Sequence, residues 1–266
     1  MRIRLFVMKN FIILLTSRVI KILANILKGG CYLFHALLPN KRFTLPGISK
    51  PIYTRKSPSV IPRIIWQTNY TNRVTLPVYL NYLFNRLMSY DYEYRFTSTE
   101  ARAEFIKDNY SPEIFSNYSK LQIGAAQADF WRVLVLQKHG GIYIDIDAHF
   151  VWPLSSLIHP DIDELYLTIK RGDISNYFIA SKRNNDNLDK IIRVIMTNIS
   201  DNKLDNVYEI TGPGVFNKVL DIETTNTIKY RYICNQGNFT NEYFQYIDKK
   251  EGKWTKAQEK IDIIKK

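Results

Sequence analysis

From residue 61 onward, short apolar runs alternate with longer segments whose apolar residues recur at helical spacing. The short runs predict strands at 61–66, 93–96, 142–147, 165–169 and 177–180. The longer segments predict helices at 97–108, 122–138 and 187–199. This alternation indicates an α/β sandwich with a mixed, largely parallel sheet, in which ligands bind at the carboxyl ends of the strands.

The first 38 residues follow a different pattern, in which apolar residues are interrupted by basic ones from Lys9 to Lys28. No run reaches the roughly 20 clean apolar residues of a membrane-spanning helix. Aliphatic residues recur at helical spacing from Leu15 to Ile26, so we expect residues 1–38 to form a basic amphipathic helix on an anionic membrane surface. A type II membrane anchor, a cleaved signal peptide and a simple core helix are the alternatives.

The distribution of charge favours a membrane surface as the partner of this segment. Residues 1–90 contain 14 Lys and Arg and no acidic residue, so they carry +14, and the rest of the chain must carry −2 to give the total of +12. Nucleic acid is a weaker explanation, because the basic residues are mixed with aliphatic ones and no recognition motif accompanies them.

Length and composition indicate one α/β domain with flanking segments. The chain has 266 residues, of which 45% are hydrophobic, and can bury a sizeable core. Cys31 and Cys234 lie far apart without metal-ligand spacing, which argues against a disulfide framework. We expect the domain at 61–240, a proline-containing linker at 39–60 and a basic amphipathic tail at 241–266.

The predicted strand at 142–147 ends in two acids one residue apart, Asp145 and Asp147. If the strand continues through both, they share a face with Tyr143, and their carboxylates lie about 7 Å apart along the strand. Unpaired carboxylates are costly to bury, so a positive partner is expected there. Hard oxygen ligands suit Mn²⁺ or Mg²⁺, and we therefore predict a metal site at Asp145 and Asp147.

A second pair of charged residues lies on the preceding helix. Asp129 and Arg132 stand at positions i and i+3 of the predicted helix 122–138 and therefore project from one face. A Gly140-Gly141 turn then returns the chain into the strand that carries the two acids, which can bring all four charged side chains to one cleft. An ordinary surface ion pair on the helix is the alternative interpretation.

Taken together, Asp-x-x-Arg at 129–132 and Gly-Gly-x-Tyr-x-Asp-x-Asp at 140–147 resemble the DXD signature of glycosyltransferase family 32. That family includes yeast outer-chain mannosyltransferases and bacterial capsule and lipopolysaccharide enzymes. Residues 61–68 look like its opening strand, and Thr-Gly-Pro-Gly at 211–214 looks like its later Gly-Pro element. The resemblance covers about residues 60–220 and implies a single Rossmann-like nucleotide-diphosphosugar transferase domain of the GT-A type.

The resemblance also implies roles for the four charged residues. Asp147 is the implied direct ligand of Mn²⁺ or Mg²⁺, and Asp145 contacts the metal and the donor ribose. Asp129 and Arg132 hold the hydroxyls of the donor sugar, and Arg132 also approaches the diphosphate. All four are the catalytic residues that the resemblance implies.

Three further residues complete the implied donor site. Tyr143 belongs to the motif itself, and Asn176 precedes the predicted strand 177–180 at a position where the family often has a polar residue. Trp66 is a candidate for stacking on the base, although a core position fits it equally well. The family often has an aromatic residue three places after Trp66, where this chain has Asn69.

The expected function is metal-dependent transfer of a hexose from a nucleotide-diphosphate sugar, with a UDP-hexose the first candidate and GDP-mannose the next. The resemblance implies retention of configuration and a saccharide or lipid-linked saccharide acceptor, as in surface polysaccharide or lipopolysaccharide synthesis. The expected location is the cytoplasmic face of the inner membrane, bound peripherally.

Two other functions fit part of the pattern. A haloacid-dehalogenase phosphatase also carries Asp-x-Asp after an apolar strand, but near the start of its domain and followed by Thr or Val rather than Ala148. A membrane-bound, non-catalytic scaffold with the same fold is the second alternative. The presence of Asp129, Asp145 and Asp147 argues against such a scaffold.

Overall fold

In a computed structural model, residues 2–249 and 252–265 are described, with side chains from Met8 onward. The helices, numbered along the chain, are α1 (Arg2–Leu37), α2 (Leu76–Met88), α3 (Thr99–Asn109), α4 (Pro112–Lys120), α5 (Gly124–His139), α6 (Asp186–Asp201), α7 (Val207–Ile210), α8 (Pro213–Val219), α9 (Glu242–Tyr246) and α10 (Trp254–Ala257). The strands are β1 (Phe43–Thr44), β2 (Ile48–Ser49), β3 (Ile64–Thr68), β4 (Arg73–Val74), β5 (Glu93–Thr97), β6 (Gly141–Ile144), β7 (Ala148–Phe150), β8 (Glu164–Thr168), β9 (Ile174–Ser181), β10 (Thr227–Lys229) and β11 (Cys234–Gln236).

Seven strands form one mixed sheet in the order β10-β8-β9-β6-β3-β5-β2. Strand β3 runs parallel to both of its neighbours, β6 and β5, and β8 runs parallel to β10. Strand β9 is antiparallel to both of its neighbours, and β2 is antiparallel to β5. Two-stranded ribbons β1–β4 and β7–β11 lie outside the main sheet. The predicted α/β class and mixed sheet with parallel central strands are confirmed.

Both faces of the sheet are covered, which makes the domain three layers thick. Ile142 and Ile144 point into the core on the α2 side, whereas Tyr143 points into the core shared with α5 and α6. Neighbouring residues of β3 divide in the same way, with Ile65 on the α2 side and Trp66 on the α5 side. The alternation expected of a strand therefore places one apolar set in each core.

The Gly140-Gly141 turn between α5 and β6 requires glycine at both positions. Gly140 ends α5 with φ of +65°, and Gly141 follows with φ of +108°. A Cβ at Gly141 would lie 2.6 Å from the carbonyl oxygen of Ile64 on the neighbouring strand. The predicted Gly140-Gly141 turn is confirmed, and it fixes the direction in which β6 leaves α5.

One predicted strand ends earlier than its pattern indicates. Strand β6 stops at Ile144, and a turn follows in which the amide of Ala148 donates to the carbonyl of Asp145 over 3.0 Å. The prediction of a strand through Asp147 is therefore wrong, and the two acids do not share a strand face. The turn lets the chain reverse into β7, which pairs with β11 rather than with the main sheet.

Helix α1 packs lengthwise against the domain. A stripe of buried side chains that includes Ile13, Ser17, Ile20 and Ala24 faces the domain. By length and composition, 8–37 is the one helix in the described chain that can cross a membrane. Apolar side chains also cover the opposite face of α1, and these are exposed: Phe11, Leu15, Val19, Ile22, Ile26, Leu33 and Leu37.

The segments predicted as linker and tail contribute to the domain instead of standing apart. Strand β2, from residues 39–60, forms the edge of the seven-stranded sheet. At the other end of the chain, Ile263 and Ile264 enter the core shared with α5, and Ile264 forms an antiparallel bridge with Leu121. Nothing in the sequence indicated that these two segments pack into the domain. Their strands and helices are too short for a hydrophobic period to be recognised.

Candidate active site

A cavity of about 440 Å³ opens at the carboxyl ends of the parallel strands β3, β5 and β6. Thr68, Thr99 and Asp145 line it where these strands end, and Asn176 lines it from β9. Residues of α9 and α10 also line the cavity, among them Tyr246. This is the edge of the sheet at which α/β proteins bind ligands, as the sequence pattern predicts.

The two acids of the DXD motif converge on one point in the cavity. Both accept a hydrogen bond from Nε2 of Gln236, over 3.2 Å to Oδ2 of Asp145 and 2.9 Å to Oδ1 of Asp147. Burial and the neighbouring charge of Asp145 raise the pKa of Asp147 to about 6. Among the described residues Asp147 forms no ion pair, so its negative charge can attract a cation to the position that the amide now occupies.

These residues fit a small divalent cation. Two carboxylates that converge within hydrogen-bond reach of one atom match the hard oxygen ligands of Mg²⁺ or Mn²⁺. Within residues 8–249 and 252–265, no group of three or more His, Cys, Asp or Glu side chains is placed to hold a metal. A cation held by these two acids would take further ligands from water and from oxygens of a bound phosphate, the usual arrangement for Mg²⁺ in nucleotide enzymes.

Arg132 joins Asp129 on helix α5 to the acids of the DXD motif. Its guanidinium lies 2.9 Å from Oδ1 of Asp129 and 3.3 Å from Oδ1 of Asp145, and it donates to the carbonyl of Asn176 over 2.7 Å. It also stacks over the ring of Tyr143, 4.3 Å from the centroid. The structure therefore brings all four predicted charged residues together, and the surface ion-pair interpretation does not hold.

Asp129 is held by three neighbours and is nearly buried. Besides Arg132, Nδ2 of Asn176 donates to Oδ1 over 2.9 Å and Oγ1 of Thr211 donates to Oδ2 over 3.3 Å. Burial outweighs the attraction of Arg132 and raises the pKa of Asp129 to about 6. Asn176 thus fixes both Asp129 and Arg132, and Thr211 gives the Gly-Pro segment a place in the site.

The raised pKa of Asp129 predicts a pH-dependent stability that Asp129→Asn removes. A folded-state pKa of about 6, above the ordinary 3.8, means that the folded chain binds the proton more tightly than the unfolded chain. This group therefore costs stability as pH rises through 6. We expect the change in unfolding free energy caused by Asp129→Asn to be roughly 1–3 kcal/mol more favourable at pH 7.5 than at pH 4.5.

Urea unfolding at the two pH values measures this difference, with Asp161→Asn at an exposed acid as the control. Equal effects of Asp129→Asn at both pH values would show that Asp129 stays ionised throughout.

Of the two aromatic residues implied for the donor site, Tyr143 lines the cavity and Trp66 does not. The hydroxyl of Tyr143 donates to Oδ1 of Asp145 over 2.7 Å, so Tyr143 positions an acid of the motif as well as lining the cavity. Trp66 lies in the core, where its Nε1 donates to the carbonyl of Gly140 over 2.9 Å. The prediction that Trp66 belongs to the donor site is therefore wrong, because β3 turns its side chain away from the cavity and towards α5.

Several residues in the cavity wall were not expected from the sequence. Gln236 comes from β11, and Gln245 from α9 hydrogen bonds Asp147. Tyr70, which follows β3 by two residues, supplies an aromatic ring next to Asn69. The family often has an aromatic residue at the position of Asn69, and in this chain the aromatic residue comes one position later, at Tyr70.

Comparisons with known proteins agree with this site. Residues 77–163 match a family described as the glycosyltransferase sugar-binding region containing the DXD motif. The chain is 28% identical over 197 residues to an uncharacterized glycosyltransferase of Acanthamoeba polyphaga mimivirus, covering 68% of this chain and 77% of that protein. It is 33% identical over 108 residues to inositol phosphoceramide mannosyltransferase 3 of Schizosaccharomyces pombe, covering 41% of this chain and 30% of that protein.

Among solved structures, the PaToxG glycosyltransferase has a similar fold, with a TM-score of 0.51 at 19% identity, over 76% of this chain and 80% of that one. The likeness supports the GT-A type of fold that the mixed sheet and its parallel centre indicate. The phosphatase alternative does not hold. The DXD motif, its placement at the sheet edge and these relatives support a glycosyltransferase that resembles those of family 32.

Proposed function

We propose that this glycosyltransferase moves a hexose from a nucleotide-diphosphate sugar to a hydroxyl group in a reaction that needs Mn²⁺ or Mg²⁺. The observation that carries the proposal is the convergence of Asp145 and Asp147 on one point beside the Asp129–Arg132 pair. A diphosphate can share a divalent cation with two carboxylates and can accept hydrogen bonds from an adjacent guanidinium.

The residues divide the work of binding the donor. A bound Mn²⁺ or Mg²⁺ supplies electrostatic stabilisation of the departing diphosphate. Asp145 and Asp147 hold that cation, while Arg132 offers its guanidinium to the diphosphate or to a sugar hydroxyl. Asp129, fixed by Asn176 and Thr211, accepts hydrogen bonds from sugar hydroxyls. Tyr143 keeps Asp145 in place through its 2.7 Å hydrogen bond.

For transfer with retention of configuration, we favour attack by the acceptor hydroxyl on the same face of the sugar as the leaving diphosphate. Both carboxylate oxygens of Asp129 already accept hydrogen bonds, which makes it a poor nucleophile. Glu242, another acid in the cavity wall, is paired with Lys253 and Lys256. NMR of the anomeric proton in the product tests retention, and a covalent glycosyl adduct detected by mass spectrometry would contradict same-face attack.

The donor is tested directly by hydrolysis and transfer assays on purified protein. The panel contains UDP-glucose, UDP-galactose and GDP-mannose, each with Mn²⁺, with Mg²⁺ and with a chelator. UDP-hexoses follow from the family resemblance, and GDP-mannose is supported by the mannosyltransferase named among the relatives. Cation-dependent release of one nucleotide supports the proposal, and turnover that is unchanged by the chelator contradicts it.

The acceptor is proposed to be a saccharide or lipid-linked saccharide at a membrane surface, as in the synthesis of surface polysaccharide, capsule or lipopolysaccharide. The relative from fission yeast is named for a lipid acceptor, an inositol phosphoceramide. The exposed apolar face of α1, together with exposed Arg18 and Lys21, suits an anionic leaflet. We place the chain peripherally on the cytoplasmic face of the inner membrane, with a type II anchor as the alternative.

Substitution of the exposed apolar face of α1 tests membrane binding. Phe11, Ile22 and Ile26 are between 61% and 66% exposed, so replacing all three with Ser removes lipid contacts without opening the core. We expect at least a tenfold loss of binding to vesicles that contain phosphatidylglycerol, measured by flotation, with an unchanged melting temperature. Leu87→Ser, at an exposed apolar position of α2, is the matched control. Equal vesicle binding by the triple variant would contradict this surface.

A further inference from the structure

Arg102 is a buried cation in the cavity wall that lacks a matching anion. It lies on α3 and is 2% exposed. Its Nη2 donates to Oγ1 of Thr99 over 2.9 Å, while its Nε has no acceptor in the described chain. No carboxylate among the described residues forms an ion pair with it. A further polar neighbour is the hydroxyl of Tyr118, and the nearby charge of Arg132 repels it. A guanidinium that is buried in this way is costly unless a ligand completes its hydrogen bonds.

The other buried arginines show what a satisfied guanidinium looks like in this protein. Arg86 donates to the carbonyls of Tyr92 and Lys50, both over 2.8 Å. Arg132 is bound by Asp129, Asp145 and the carbonyl of Asn176. Of the three buried arginines in the described residues, Arg102 is the one left with a fully buried nitrogen that has no acceptor. Arg102 thus differs from the others in that its hydrogen bonds are incomplete although its side chain forms part of the cavity wall.

The wall of the cavity that Arg102 lines also contains small residues and an aromatic ring. Gly124, Ala125 and Ala128, at the start of α5, line the cavity with little or no side chain. A Cβ at Gly124 would meet nothing within 4 Å, so space is open there. The ring of Tyr70 lines the same cavity from the segment after β3. Small residues leave room for a planar heterocycle, and an aromatic ring can stack on one.

We propose that Arg102 donates hydrogen bonds to a carbonyl oxygen on the edge of the donor's nucleobase and so selects the base. The inference rests on the proposed function, because it assigns the diphosphate to the Asp145–Asp147 end of the cavity and the base to the Arg102 end. Uracil offers carbonyl oxygens O2 and O4, and guanine offers O6 next to N7, which an arginine can engage with two donors. Adenine has no carbonyl oxygen, so adenine nucleotides bind more weakly than uridine or guanosine nucleotides.

Binding of nucleotides and nucleosides to Arg102 variants tests the inference. Affinities for UDP, uridine, GDP, guanosine and ADP are measured by calorimetry or ligand-observed NMR with Mg²⁺ present. We expect Arg102→Met to weaken the preferred diphosphate and its nucleoside by the same factor, about 10- to 100-fold, because the lost contact is to the base. Arg102→Lys, which keeps the charge but loses the planar fork, weakens both less. The melting temperature of Arg102→Met stays equal or rises, because an unmatched buried charge is removed.

A second arginine provides the matched control. Arg86→Met leaves the carbonyls of Tyr92 and Lys50 without donors, so it lowers the melting temperature and leaves nucleotide affinity unchanged. Equal affinity of wild type and Arg102→Met overturns the inference and leaves the proposed function intact. A loss for the diphosphate that is absent for the nucleoside also overturns it, because Arg102 then binds phosphate. Failure of the wild type to bind any nucleotide overturns both the inference and the proposed function.

Discussion

Asp147→Asn is expected to lower cation-dependent turnover of the donor by roughly a hundred- to a thousandfold, the usual cost of losing a preorganised electrostatic contact at the reacting group. Asp147 is one of two carboxylates that converge on the same point, and its neutral amide cannot attract a cation as strongly. The substitution preserves shape and an oxygen that can accept from Gln236. It also relieves the repulsion by Asp145 that raises the pKa of Asp147, so the fold is expected to persist.

Donor hydrolysis at saturating Mn²⁺ measures the effect, and the melting temperature confirms that the variant is folded. Asp161→Asn, at an exposed acid outside the cavity, is the matched control and should keep full turnover. Turnover by Asp147→Asn within a few fold of wild type would show that the motif does not bind the cation.

The second large effect is expected from helix α1, whose removal should destabilise the domain. Ala24 is completely buried where α1 meets Phe239, and Ser17 accepts a hydrogen bond from Nδ2 of Asn235 over 2.8 Å. Asn235 is followed directly by Gln236, the residue that contacts both acids of the motif. Helix α1 therefore supports the strand that reaches the active site, and a chain without it exposes the apolar surface that α1 now covers.

Ala24→Glu tests this packing without shortening the chain. Placing a carboxylate at a completely buried position should lower the melting temperature by at least about 5 °C, because an unpaired charge cannot be solvated there. The neighbouring residue Asn25 is exposed, so Asn25→Glu should leave the melting temperature unchanged. If α1 were only a membrane anchor that does not pack on the domain, Ala24→Glu and a chain spanning 38–266 would be as stable and active as the full protein.

Those parts of the site that are close together in sequence could be predicted from it. Asp129 and Arg132 follow from helical periodicity, and the Gly140-Gly141 turn carries that helix directly into β6 and Asp145. The elements α5 and β6 are long enough, or apolar enough, for their period to be recognised. The exact end of β6 was not predictable, because a strand that continues and a strand that turns after Ile144 have the same alternating pattern up to that point.

The rest of the site depends on contacts between distant segments. Gln236 reaches the two acids because β11 pairs with β7, which begins directly after Asp147. Strand β11 has three residues, too few to show a period, so neither the pairing nor the role of Gln236 had a sequence signal. The packing of helix α1 on the domain also had no clear sequence signal, since an apolar pattern does not distinguish a face that binds lipid from a face that packs on protein.

The most direct test of the account is the binding of Mn²⁺ in the presence of UDP or GDP, followed by loss of the electron paramagnetic resonance signal of free Mn²⁺. We predict that the wild type binds one Mn²⁺ per chain, tightly only when the diphosphate is present, because Asp145 and Asp147 supply only part of the ligands. Asp147→Asn should leave the signal of free Mn²⁺ unchanged under the same conditions. Equal Mn²⁺ binding by wild type and Asp147→Asn, or none by the wild type with either nucleotide, would contradict a metal-dependent transferase centred on these two acids.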